Sequence, residues 1–479
     1  MSNQLSHAII YPPPTRSPDH VWNILELKKR GVRYVRIQLV DPTNNIRYRI
    51  VPISHFERIM QSARPGITFT KAILGSAFLK VAEGFTSDGE YLYVPDMSTV
   101  RMMPYKLGHA SVLGWFEEKA SVDTPDGTWT TKVDFCPRGI LRMIIEKARR
   151  VSGVEFLVGF ETEFVLLSST SPVTPVHHKH AYSNTLALPT GSIAEVVLEE
   201  IVEALQISGI EVQMYHAEAS FGQYEIVTGP LPPLQAADAL VHTRETIYNI
   251  SSKHGLRATL APRINQSSTG SASHAHISVH STDKSPQTQS AQEPNLTITE
   301  ASFLAGLLAH LPAVAAITLP LPASFERVAD GIWSGGTYVC WGTDNREVPI
   351  RLCNATFASS RNFEVKALDG TANPYLALAA ILGAGHSGIQ TQTQLLVKDC
   401  RGPSAAELGE EGRKELGIIQ RMPLNWDDAR NKLSNDEIMR GILGGDVVDK
   451  YLNVNECMGR ALNEPDDNDT RLTLLVESY

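Results

Sequence analysis

Six side chains from four separated segments could together hold two divalent cations. Glu161 and Glu163 lie in Gly-Phe-Glu-Thr-Glu-Phe, and Glu218 and Glu225 in His-Ala-Glu-Ala-Ser-Phe-Gly-Gln-Tyr-Glu. His274 lies in Ser-His-Ala-His-Ile-Ser, and Glu364 in Asn-Phe-Glu-Val-Lys. Five carboxylates cannot converge without cations, because like charges held close force protons on or the fold apart. Oxygen-rich ligation with one imidazole suits Mg²⁺ or Mn²⁺ better than zinc. Such ions usually serve phosphates, which makes ATP chemistry the first reading.

Each segment also has a plain reading. Glu161 and Glu163 are two apart on an expected strand, so both project from one face. An isolated Glu-x-Glu is usually a solvated edge, but here Phe160, Phe164 and Leu166 flank the pair. Glu218 and Glu225 are seven apart, so an unbroken strand aims them at opposite faces. A bulge or turn at Ser220-Phe-Gly222 would bring them together. His274, His276 and His280 share one strand face by even spacing, although a lone histidine is more often a satisfied core or surface residue. The tract His177-His178-Lys179-His180 reads as a polar loop. Arg327, Arg346 and Arg351 bracket the glycine-rich Asp330–Gly336, a flexible loop by composition. Guanidinium groups grip carboxylates and phosphates bidentately, so these three are an anion-site candidate as well as ordinary surface partners.

The elements that must position these groups follow from periodicity. Val32 to Val40 alternates with period two, Asp41 to Asn45 turns, and Ile46 to Val51 returns as a second strand. Residues 1–20 read as a mobile arm, 21–130 as a β-rich N-terminal domain and 131–479 as a larger catalytic domain. In the latter, strands at 156–167, 213–227 and 273–280 alternate with helices at 192–208, 234–254, 299–318 and 374–388. The stretch 281–295, rich in Ser, Thr, Gln and Pro, reads as a surface insertion.

Composition narrows the function further. The 479 residues are 42% hydrophobic and 20% charged, with net charge −9. No basic run points to nucleic acid. The five cysteines are scattered, odd in number and without CxxC spacing, which argues for a reducing compartment. Phe303 to Leu321 is the longest apolar run, and Pro312 within it suits a buried helix rather than a membrane span. The expectation is a cytoplasmic protein with neither nucleic-acid nor membrane partners.

The ordered set Gly159-Phe-Glu-Thr-Glu, His216-Ala-Glu with Gly222-Gln-Tyr-Glu225, His274-Ala-His-Ile-Ser278, Asn345-Arg-Glu-Val-Pro-Ile-Arg351 and Glu364-Val-Lys resembles the glutamine synthetase superfamily. Trp333-Ser-Gly-Gly and Cys340-Trp-Gly look most like its bacterial-type and fungal glutamine synthetase-like branch. The resemblance implies an α+β fold: an N-terminal β-grasp domain and a catalytic domain with a curved antiparallel sheet. It also implies ring homo-oligomers with active sites between subunits.

By that mapping Glu163, Glu218 and Glu225 hold one cation, and Glu161, His274 and Glu364 the other. His276, Ser278 and Arg351 contact ATP. Arg346 steadies the transferring phosphoryl group, and Arg327 holds the acid's α-carboxylate. Lys366 stands where the family has an arginine, and Thr269 where it has an asparagine. The departures concern the amine. Where the family has an aspartate that captures ammonium this chain has Thr70, and where it has a flap glutamate this chain has Trp333. An aromatic face suits a bulkier or cationic amine. The implied reaction joins glutamate's γ-carboxylate to an organic amine through an acyl phosphate. Glutamine synthesis from ammonia and a catalytically silent scaffold are the alternatives.

Overall fold

The computed structural model describes residues 9–12, 22–124, 127–177, 182, 185, 187–265, 268–283 and 287–479. Most of the expected 1–20 arm, His178 to His180 and part of the 281–295 insertion lie outside these residues. The chain is a mixture of helices and open sheets, in agreement with the α+β expectation.

The N-terminal part carries two four-stranded sheets. Tyr34–Val40 pairs antiparallel with Ile46–Pro52 and parallel with His109–Val112. The second sheet runs Trp129–Lys132, Gly114–Asp123, Glu90–Pro95 and Ile67–Thr70. The turn between the first two strands is driven into the catalytic half. Asn44 Nδ2 donates to the Gly370 carbonyl at 3.0 Å, and Asn373 Nδ2 donates to the Asp41 carbonyl at 2.8 Å. Arg244 Nη1 donates to Asn44 Oδ1 at 2.7 Å. One apolar cluster runs through both halves, from Leu27 and Phe56 to Phe303 and Leu382.

The catalytic half is built on a nine-stranded sheet. Its principal strands are β1 Val154–Thr170, β2 Val212–Ala217, β3 Gln223–Leu231, β4 Ala275–Ser281, β5 Trp341–Thr343, β6 Ile350–Cys353 and β7 Asn362–Val365. Their order is β2-β3-β1-β4-β7-β6-β5, antiparallel except for the β5–β6 pair. Even-numbered β1 residues such as Phe160 and Phe164 are buried in apolar clusters, which leaves Glu161 and Glu163 to the opposite face.

Helices α1 Pro137–Ser152, α2 Pro233–Lys253, α3 Ile298–Thr318 and α4 Pro374–Thr391 back the sheet. Each end is specified locally: α1 has Pro137 in its first turn and left-handed Gly153 after its last. Thr297 and Glu300 form a capping box on α3, and the Asn373 side chain caps α4. Helix α3 is long and apolar enough to cross a membrane, but its residues are packed inside the fold, as Pro312 suggested.

The segment 213–227, read as one strand, is a hairpin. Gly222 turns with φ +63°, and Gln223 N–H donates to the Ser220 carbonyl. The turn option foreseen at Ser220–Gly222 is the one taken.

Helices α3 and α4 cross at a glycine pair. A Cβ on Gly306 would stand 2.6 Å from both the Gly388 Cα and the Ala384 carbonyl oxygen. Those are backbone atoms that cannot swing aside. Gly306→Ala is therefore expected to destabilise the fold by about 1–3 kcal/mol, the usual range for core overpacking. A urea titration reads this directly, and an unchanged midpoint would show that the helices separate freely.

Candidate functional site

Strand register assembles the site. Glu225 on β3 lies opposite Glu163 on β1 and opposite His216 on β2. Across the sheet, His276 on β4 faces Glu364 on β7, which faces Arg351 on β6. Directly opposed residues sit about 4.5–5.5 Å apart, so each row brings its polar groups into contact. Between the rows, Glu161 N–H donates to the His274 carbonyl and Glu163 N–H to the Ala272 carbonyl. The hairpin folds Glu218 back beside Gln223, since its N–H donates to the Gln223 carbonyl at 2.9 Å. Two residues an odd number apart thereby reach the same face.

All six proposed cation ligands come together. Two groups have ligand atoms within 4.8 Å of one another: Glu161, His276 and Glu364, and His216, Glu218 and Glu225. His274 joins the first, with Nδ1 3.1 Å from Glu161 Oε2 and 3.3 Å from Glu364 Oε1. His276 Nε2 is 3.0 Å from Glu161 Oε1. Glu163 stands between the groups, where Gln223 Nε2 donates to its Oε2 at 2.8 Å and Ala272 N–H donates at 3.0 Å.

The two groups differ in electrostatics. Glu364 is only 1% exposed. Burial alone would raise its pKa, but Lys366, His274, His276 and Arg351 together hold it below its ordinary value. Arg351 Nε lies 2.7 Å from Glu364 Oε2, and Lys366 Nζ 3.4 Å from Oε1. Burial likewise opposes ionisation of Glu161, yet hydrogen bonds from His274 and His276 hold it well below the usual carboxylate range. The Glu161–Glu364 group is thus neutralised by the protein itself. The other group is not. Burial, then the charges of Glu225 and Glu218, push Glu163 up to about 8. Burial also raises Glu225, against a partly opposing hydrogen bond from His216. That bond to Glu225 lifts His216 to about 9.

A cavity of about 400 Å³ opens beside the first group. Glu161, His276, Ser278, His280 and Asn362 line it, and the chain's Tyr11 reaches it as well. Ser278 Oγ is 2.7 Å from His280 Nε2, and His276 Nδ1 is 2.8 Å from Asn362 Oδ1.

The arginine and amine candidates are dispersed. Arg327 is 2% exposed and donates to the Lys366 and Leu368 carbonyls. Arg346 is exposed and holds no place in either carboxylate group. Thr70 ends a strand of the second N-terminal sheet, paired with Glu90, and does not line the cavity. Trp333 is 63% exposed. The loop read as flexible is tied down: Asp330 accepts from Thr337 N–H and Oγ1, and Glu347 accepts from Gly331 N–H and Trp333 N–H.

Sequence reasoning passed over His216 and Asn362 as contributors. Each lies two residues before an acidic candidate, Glu218 or Glu364, so period-two spacing carried the signal. The bond from Gln223 to Glu163 depends on the hairpin.

A family model described as glutamine synthetase, catalytic domain, matches residues 134–464. The chain is 36% identical over 457 residues to protein fluG of Emericella nidulans, covering 94% of this chain. It spans about half of that relative, 49% of its length. It is 28% identical over 439 residues to the gamma-glutamylpolyamine synthetase of Streptomyces coelicolor, covering 90% of each. It is 28% identical over 452 residues to the glutamine synthetase of Methanocaldococcus jannaschii, covering 89% of this chain and 92% of that one. A solved structure of a glutamine synthase homolog superposes with TM-score 0.76 at 28% identity, over 94% of this chain and 99% of the other. The GmaS–ADP complex shares the fold with TM-score 0.76 at 22% identity, over 95% and 99%. The family match takes in every strand of the nine-stranded sheet and each carboxylate on its polar face, and on that ground the chain belongs to the glutamine synthetase superfamily.

Proposed function

We propose that the chain is an ATP-dependent carboxylate–amine ligase that joins glutamate, or a related acid, to an organic amine rather than ammonia. The observation that carries this is the convergence of five carboxylates and three imidazoles on one sheet face beside a cavity large enough for a nucleotide. Curated relatives of this ligase family include one named for polyamine addition and several named for glutamine synthesis.

The donor set fits Mg²⁺ or Mn²⁺, since it is rich in carboxylate oxygen and contains no sulfur. Glu163, Glu218 and Glu225, with His216 in reach, would hold one ion. Glu161, His274 and Glu364, with His276 in reach, would hold the other. When bound, the two ions orient the ATP phosphates and offset the charge that develops during in-line transfer.

The chain's own residues do the rest. His276 and Ser278 face the nucleotide across the cavity, and Arg351, fixed by Glu364, adds a charge that cannot be lost. Arg346 is exposed and, by the family mapping, would steady the transferring phosphoryl group. Lys366 steadies Glu364 beneath the reacting groups. Arg327 offsets the charge of Glu163 and, by the family mapping, would hold the acid's α-carboxylate. The γ-phosphoryl group moves to a carboxylate oxygen of the acid and releases ADP. The amine nitrogen then attacks the acyl carbon, phosphate leaves with the C–O bond electrons, and the amine's proton passes to solvent.

Thr70 and Trp333 bring no carboxylate to the amine site, so nothing there favours a bare ammonium ion over a larger amine. Thr70's distance from its own chain's cavity supports a ring homo-oligomer in which a neighbour supplies it.

Three outcomes follow. With ATP, Mg²⁺ and glutamate, at least one of methylamine, ethanolamine, putrescine or spermidine is expected to drive phosphate release with a higher kcat/KM than ammonium. Ammonium as the best substrate would favour plain glutamine synthesis, and no release with any amine would favour a silent scaffold.

Cation binding at pH 7 is expected to release protons. The sign follows from Glu163, which is mostly protonated below about 8 and must ionise to ligate. Affinity should therefore rise from pH 7 to 9, and calorimetry in two buffers of different ionisation enthalpy reads the protons. Glu163→Gln should reduce the release; an unchanged release would place the proton elsewhere, for example on His216.

Subunits carrying Thr70→Arg or Glu364→Gln, each inactive alone, should regain activity on co-assembly. Persistent inactivity of the mixture would contradict a shared site.

A further inference from the structure

The loop 330–336 holds a bulky side chain where physical chemistry disfavours it. Trp333 combines 63% exposure with φ +58°, a left-handed conformation that bulky residues rarely adopt. An outward indole on a strained backbone persists only where surrounding contacts over-determine it. Those contacts are present. Glu347 spans the loop with one carboxylate, Oε2 accepting from Gly331 N–H at 3.1 Å and Oε1 from Trp333 N–H. Ser334 Oγ accepts from Ala329 N–H at 2.9 Å and donates to the Ala329 carbonyl at 2.8 Å. Asp330 closes the loop onto Thr337.

Two glycines press the loop onto its floor. A Cβ on Gly336 would stand 2.8 Å from the Glu347 carbonyl oxygen, and one on Gly335 would stand 3.2 Å from Lys366 Cβ. Lys366 in turn reaches Glu364. The loop therefore packs against Lys366, two residues from Glu364, with its backbone pinned and its indole exposed. A loop needing only this backbone shape would place glycine, not tryptophan, at residue 333.

We infer that Glu347 is a positioning residue, which holds the Trp333 indole as a preformed wall of the amine site and so selects primary amines with an apolar or cationic tail. This rests on the ligase reading above. The tail lies on the indole face, whose π-cloud attracts a tail that is positively charged. Preformation matters because a wall that is already ordered does not draw on substrate binding for its ordering.

The test is a KM-against-kcat split on purified full-length protein, with the best amine from the panel. Glu347→Ala is expected to raise the amine KM by about tenfold with the ATP KM unchanged, the scale of loss that follows a small misplacement of a positioning group. Trp333→Ala should do the same, and the double variant should be no worse than either single, because both remove one wall. Glu347→Gln, which keeps one acceptor, should fall between. Acrylamide quenching of the Trp333 emission, taken as wild type minus Trp333→Phe, should increase in Glu347→Ala.

An unaltered amine KM in Glu347→Ala, in protein that turns over amines, overturns this inference alone. A fall in kcat shared equally by ammonium and every organic amine also overturns it, since that pattern points to the neighbouring Arg346. Wild-type protein that turns over no amine overturns both this inference and the ligase reading.

Discussion

Repulsion among five carboxylates held on one sheet face is the constraint around which the catalytic half is organised. Cross-strand pairing fixes their spacing, and burial removes the water that would screen them. The chain answers the problem differently on its two sides. Around Glu161 and Glu364 it places His274, His276, Arg351 and Lys366, so these acids stay ionised inside the protein. Around Glu163 and Glu225 it places His216, the Gln223 amide, the Ala272 N–H and the charge of Arg327, and burial still raises both acids above the ordinary carboxylate range. One half of the cluster is compensated by the fold, and in the other burial and mutual repulsion oppose ionisation.

That arrangement needs a rigid support, because small shifts between strands would change the spacing of charges. The helices behind the sheet provide it, with α3 and α4 in backbone contact at Gly306 and Gly388. The Asp41–Asn45 turn provides a second support from the N-terminal half. Its bonds to Gly370 and Asn373 fix the segment that follows Glu364 and Lys366, and Arg244 holds the turn from α2. The N-terminal sheets and the polar face are therefore parts of one mechanical unit, although they are far apart in sequence.

On the ligase reading proposed above, the amine side of the site follows another rule. Where the family pattern relies on acidic side chains, this chain has a threonine on an N-terminal strand and a tryptophan on a clamped loop. An acidic trap acts on charge alone, whereas an ordered aromatic surface acts on shape and on the polarisability of a tail. The carboxylates that remain near the loop, Asp330 and Glu347, are engaged by backbone N–H groups and hold the loop itself.

By itself the sequence marked candidates: Glu161 with Glu163 and His274 with His276 by even spacing on expected strands, and the reversal at Asp41 to Asn45 between two alternating runs. These features are local, and local sterics and hydrogen bonding decide them. Tertiary structure alone decided the rest. The hairpin at Gly222 reconciled Glu218 with Glu225, register set His216 against Glu225 and Arg351 against Glu364, and Arg327 was buried while Arg346 stayed exposed. Glu347 looked like one more polar residue in a motif until the fold brought it against the backbone of Trp333, fourteen residues away. Contacts between distant segments depend on pairing register and chain reversal, and one residue of slip would send each of these groups to the other face.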